Sequence, residues 1–67
     1  MTTRRSELMR AAHEATAAYA ARQKDTADAR QCLAYGFGTI KQVDTAIYHE
    51  SEARTRWLYA TEAFVNS

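Results

Sequence analysis

Leu8, Ala12, Ala15 and Tyr19 recur at steps of four, three and four, with Ala11 and Ala18 beside them. That period lays one small, apolar stripe along a helix. The surrounding Ala, Glu, Arg, Met and Leu favour helix from Thr3 to about Gln23, with Ser6 or Thr3 as the capping residue. A second periodic run comprises Val43, Ala46, Glu50, Ala53, Trp57, Ala60 and Phe64. Its alternating steps of three and four form a heptad seam carrying one charge, and predict a helix from Ile40 to about Val65. Ile40, Ile47, Leu58 and Val65 should broaden its apolar face. Glu50–Arg54 and Glu52–Arg56 stand in the favourable i,i+4 order and mark the wet side near its middle.

Between the two runs lies Tyr35-Gly36-Phe37-Gly38-Thr39, which contains both glycines of a chain without proline. Each glycine costs a helix about 1 kcal/mol relative to alanine, so two in three positions predict a turn rather than a continuous rod. Thr39 and Gln42 have the spacing of a capping box immediately before the second apolar run. Gly36 then ends the preceding helix with positive φ. A weaker break is available at Lys24-Asp25-Thr26, where Asp25 suits an N-cap, although neither glycine nor proline enforces a stop. The two outcomes are a hairpin, if the first helix runs through, or a three-helix unit, if a short helix starts near Ala27. The hairpin is favoured. The fold class is therefore all-α: an antiparallel helical hairpin or three-helix unit, residues 1–67 forming a single small helical domain.

Composition adds a demand for a partner. Hydrophobic residues make up 46% of the chain, but fourteen of them are alanines, which bury little. A chain of 67 residues is near the lower size limit for independent folding, so completion by homodimerisation is expected. The net charge is +1 with both signs interspersed, which is no general footprint for nucleic acid. One cysteine permits no intrachain disulfide, and the polar, basic start lacks the apolar core of a signal peptide. No apolar run approaches the ~20 residues of a membrane span. A cytoplasmic protein that does not engage membranes is the expectation.

Catalytic and metal-binding motifs are missing. His13, His49 and Cys32 are the only nitrogen or sulfur ligands of the usual kind, and none stands at a zinc spacing. His49-Glu50-Ser51-Glu52 resembles a piece of a zinc helix without its second histidine. Cys32 reads as a structural cysteine on an inward or half-buried face. Gly36-x-Gly38 is too short to cradle a phosphate. The chain is expected to be no enzyme, with no catalytic residue, no metal and no cofactor.

Two groups remain. Arg4, Arg5 and Arg10 oppose the dipole at the start of the first helix, which makes them candidates for contact with an anionic partner. The plainer reading is a solvated end softened by Glu7 and Glu14, and it is preferred because no basic stripe continues the cluster. The aromatics Tyr35, Phe37, Tyr48, Trp57 and Tyr59 are too many for one small core. Tyr48 and Tyr59 lie about three turns apart on one side of the second helix, with Trp57 pointing elsewhere. This suggests two apolar surfaces, one for folding or self-association and one partly exposed; the equal alternative is that dimerisation consumes all of these rings. Tyrosine and tryptophan are enriched where proteins grip proteins. The leading expectation is a small dimeric inhibitor, anti-activator or adaptor, of the kind bacterial or phage accessory proteins provide, docking a helical aromatic face on a larger protein. The alternative is a helix-turn-helix-like DNA-binding regulator, weakened by Asp44, Glu50 and Glu52 on the would-be reading helix.

Overall fold

The structure, a computed structural model, describes residues 4–67. Two helices account for almost all of it: α1, Arg4–Ala34, and α2, Ile40–Val65. They run antiparallel along each other and form a rod 53 Å long and 15 × 12 Å across. The turn falls at the two glycines, and α2 has the span predicted for it, Ile40–Val65. Nothing interrupts α1 at residues 24–26. Thr26 folds its hydroxyl back onto the Arg22 carbonyl, 3.1 Å away, while Arg22 and Asp25 approach to 3.7 Å. The three-helix alternative is not what forms, because no residue there lacks an N–H or prefers positive φ. Ser6 lies within α1 and is not its N-cap; Thr3 is outside the described residues.

The turn is built from hydrogen bonds that satisfy both helix ends. Gly36, at φ 83°, is the only described residue with positive φ. Its N–H donates to the Leu33 carbonyl at 3.1 Å, and the Phe37 N–H donates to the Cys32 carbonyl at 2.9 Å. This is the Schellman arrangement, which takes up carbonyls that the last turn of α1 would leave orphaned. Gly38 donates a further bond to the same Cys32 carbonyl. Thr39 then opens α2 in an extended conformation. Its hydroxyl accepts from the Gln42 N–H at 3.2 Å, and its own N–H donates to Gln42 Oε1 at 3.0 Å. The capping box read from the sequence is complete.

Between the helices the seam is narrow. Leu8, Ala12, Ala15, Tyr19, Thr26 and Ala29 of α1 face Val43, Ala46, Glu50, Ala53, Trp57, Ala60 and Phe64 of α2, and all are half-buried or buried. Among the described residues only Ala12, Thr26, Val43 and Ala53 are buried, and no side chain is sealed completely. Small residues allow close approach over most of the length. The exception is a ring stack of Tyr19 on Trp57, with centroids 5.5 Å apart and planes at 28°. Near the open end, the Arg5 guanidinium lies over the Phe64 ring at 5.2 Å, a cation–π contact that ties the two helices together.

The rod is leaner than a globule of its mass. Its accessible surface is 5368 Å², against about 4,300 Å² for a compact monomer of 7.6 kDa. Its radius of gyration is 15.3 Å, against about 11 Å for a compact chain of this length. One neighbouring helix covers only one stripe of α2. Ile40, Ile47, Leu58 and Val65, expected to widen the packed face, are instead exposed.

Candidate functional site

Each helix has three sides besides its seam, and the hairpin sorts residue types among them. The loop end presents Tyr35 and Phe37, which are 69% and 87% exposed. The outer ridge of α2, opposite the seam, presents Tyr48 and Tyr59 at 62% and 71%. Eleven residues separate these two rings, so they project about 20° apart in azimuth and ~16 Å apart along the axis. Tyr48 also meets the ring of His49 edge-on, centroids 5.7 Å apart. Two exposed rings thus sit at the tip and two along the outer ridge. Trp57 is elsewhere: it is half-buried in the seam and stacked on Tyr19, where it holds the hairpin together.

One flank of the rod gathers charged and polar side chains around alanines. Arg22 and Asp25 from α1 stand beside Gln42, Thr45 and His49 from α2 around a shallow depression. A second depression continues along the same flank between Glu14, Arg22, His49, Glu52 and Arg56. His49 Nδ1 lies 3.4 Å from Glu52 Oε1, so Glu52 reaches back one turn to His49 rather than forward to Arg56. Both members of that pair, and both of Arg22–Asp25, keep about half of their side-chain surface in water. Water-exposed pairs of this kind contribute little and provide no dry cleft for proton transfer. Among the described residues no group of three His, Cys, Asp or Glu gathers to hold a metal ion.

The opposite flank carries four large aliphatic side chains, with Ser51 and Arg54 between them. Ile40, Ile47, Leu58 and Val65 are separated by seven, eleven and seven residues, which places all four within a sector of about 20° along α2. A groove beside them is lined by Tyr19, Ile47, Glu50, Ser51 and Arg54. This flank is about 100° around the helix from the Tyr48–Tyr59 ridge. Sequence periodicity does not separate it from the seam, because a wide apolar face looks the same whether one neighbour covers it or two.

The N-terminal arginines differ in their surroundings. Arg4, Arg5 and Arg10 are all exposed, but Arg5 is engaged with Phe64. Cys32 is exposed, not inward or half-buried, since the inner face at that level is taken by Ala29 and the turn. A maleimide should therefore label Cys32 in the native protein within about threefold of its rate in denaturant. Protection of a hundredfold or more, followed by mass spectrometry, would place the thiol inside. Among the described residues no helix is long and apolar enough to cross a membrane. No family model, curated protein or solved structure matches the chain.

Proposed function

We propose that the hairpin is a non-catalytic protein–protein interaction module of the cytoplasm, working as a homodimer that docks its aromatic ridge and tip on a larger protein. Inhibition, anti-activation or bridging would follow from occupation of the partner's surface, which needs no catalytic group. The observation that carries this reading is that Tyr35, Phe37, Tyr48 and Tyr59, four of seven aromatic side chains, are more than 60% exposed on a rigid scaffold. Large rings held in water cost free energy that a partner's surface would recover, and fixed helices lower the entropy lost on docking. A DNA-reading role draws less support. α2 lies along α1 instead of crossing it, and its outer side mixes Lys41 with Asp44 and Glu62.

The test is affinity capture from host lysate with the wild-type chain and a Tyr35→Ala/Phe37→Ala/Tyr48→Ala/Tyr59→Ala variant. None of these four rings supports the seam, so circular dichroism should show unchanged helicity. At least one captured band should fall about a hundredfold in the variant, consistent with loss of several contact anchors. Identical capture by both proteins would remove the aromatic surface from the binding site.

A further inference from the structure

The apolar flank of α2 has a symmetry that a surface for a foreign partner has no reason to possess. Its four large side chains are centred on one point: Ile40 and Val65 are equidistant from it, and so are Ile47 and Leu58. That point lies between Glu52 and Ala53, and it is the middle of α2 because Ile40 and Val65 are the helix's first and last residues. From these positions we infer that the flank is an isologous interface with a second copy of this chain. Its two-fold axis crosses the middle of α2, so that the two α2 helices run antiparallel over their full length. This inference rests on the homodimer of the preceding reading, and gives it a face and a register.

In that register every large apolar residue meets another. Ile40 opposes Val65 of the second copy, Ile47 opposes Leu58, and the symmetry repeats both contacts, as a two-fold interface requires. Ile40, Leu58 and Val65 are 68%, 48% and 73% exposed in the single hairpin, so the contacts have surface to bury. A slip of one helical turn would set Ile47 opposite Arg54 or Thr61 and lose the match. Near the axis, Ile47, Glu50, Ser51 and Arg54 have i, i+3, i+4, i+7 spacing and frame the groove floored by Tyr19. Four residues so spaced form the hole that a side chain from a facing helix fills. The residue opposite Ser51 is Arg54 of the second copy, and Glu50 in the same groove supplies the opposite charge. The two copies thus alternate Glu50 and Arg54 across the axis.

The area is of the right size. The broad side that holds this flank, α1 and α2 together, measures 53 × 15 Å or about 800 Å², the share each partner gives to an interface of standard size. The surface in excess of a compact monomer, roughly 1,100 Å², is of the same order. The resulting four-helix assembly leaves the Tyr48–Tyr59 ridge outside, about 100° from the interface, so that self-association and partner docking are compatible.

The register is tested by charge exchange, using sedimentation equilibrium at tens of micromolar. Wild type should sediment at twice 7.6 kDa. Ile47→Glu alone sets a carboxylate against Leu58, and Leu58→Lys alone sets an ammonium against Ile47, so each should weaken self-association at least about a hundredfold. Mixing the two single variants should restore a dimer, because one site then pairs Glu with Lys and the other keeps Leu with Ile. Positions 47 and 58 of one chain are ~16 Å apart along the helix and cannot form that pair internally. Helicity of each variant is checked by circular dichroism. Should either single variant unfold, the register is read instead from a Cys32→Ala/Ile47→Cys/Leu58→Cys chain, which should oxidise to a covalent dimer. A wild type that sediments at 7.6 kDa overturns the inference, as do single variants that dimerise like wild type, which would put the interface elsewhere. Either result leaves the aromatic capture assay standing, and loss of capture selectivity with an intact dimer would sink only the docking reading.

Discussion

Trp57→Ala should lower the thermal midpoint of the hairpin by about 10–20 °C when measured by circular dichroism at fixed protein concentration. Trp57 of α2 reaches across the seam to α1 through its ring stack on Tyr19. Around it the seam consists mainly of alanines, which cannot lean in to fill the space a missing indole leaves. Replacing a sealed tryptophan by alanine costs about 3–5 kcal/mol; because Trp57 is only half-buried, about 2–3 kcal/mol is the better expectation. For a domain this small that is a large part of the whole stability, and each kcal/mol moves the midpoint by about 4–8 °C. Trp57→Phe keeps a ring over Tyr19 and should cost less than about 1.5 kcal/mol. Holding concentration fixed matters because the midpoint of an associating protein depends on it. An alanine variant melting within a degree or two of wild type would mean that the stack contributes little and the seam is held by its small residues.

The second large effect is expected at the turn, and at the less obvious of the two glycines. Gly36 adopts φ 83°, which disfavours a side chain, yet a Cβ there would meet nothing within 4 Å. Gly36→Ala should therefore cost about 1 kcal/mol of backbone strain and Gly36→Asn less, since asparagine tolerates the left-handed region. Gly38 has ordinary φ but no room. A Cβ there would lie 3.0 Å from the Leu33 backbone nitrogen and 3.2 Å from the Cys32 carbonyl carbon and Cβ. Those atoms belong to the last turn of α1, whose Cys32 carbonyl already accepts from Phe37 and Gly38, so they are poorly placed to yield. Gly38→Val should thus cost about 2–3 kcal/mol, the range for overpacking against a fixed neighbour. Urea denaturation should rank Gly38→Val as the most destabilising, then Gly36→Ala, then Gly36→Asn. The reverse order would show that the chain reversal depends on the left-handed residue and not on the close approach of α2 to the end of α1.

The two surfaces argued above differ in how far the sequence exposed them. The Tyr48–Tyr59 ridge was legible because an eleven-residue separation fixes a shared side on any α-helix, whatever the helix touches. Exposure of Tyr35 and Phe37 follows from their place at the turn. Composition alone groups Trp57 with those rings. Its membership of the heptad seam was the better indicator, because seam positions must face the neighbouring helix. The apolar flank was visible as residues and hidden as a surface, since periodicity reports the width of an apolar face and not the number of neighbours that cover it.

Local sequence set the turn, the boundaries of α2 and the helical character of α1, while leaving open whether α1 stops near Asp25 or runs on to Ala34. These depend on interactions within four or five residues: the capping box of Thr39 and Gln42, the positive φ of Gly36, and the repeat of three and four in each seam. The tertiary structure alone decided which side chains meet across the hairpin. Tyr19 on Trp57, Arg5 on Phe64 and Gly38 against the end of α1 join residues distant or opposed in the chain, through the angle at which two helices leave one turn. It also decided that a single neighbour covers one stripe of α2 and leaves Ile40, Ile47, Leu58 and Val65 in water. The physical reason is range: local backbone preference sets where a helix starts and stops, whereas burial depends on what else occupies the space around it.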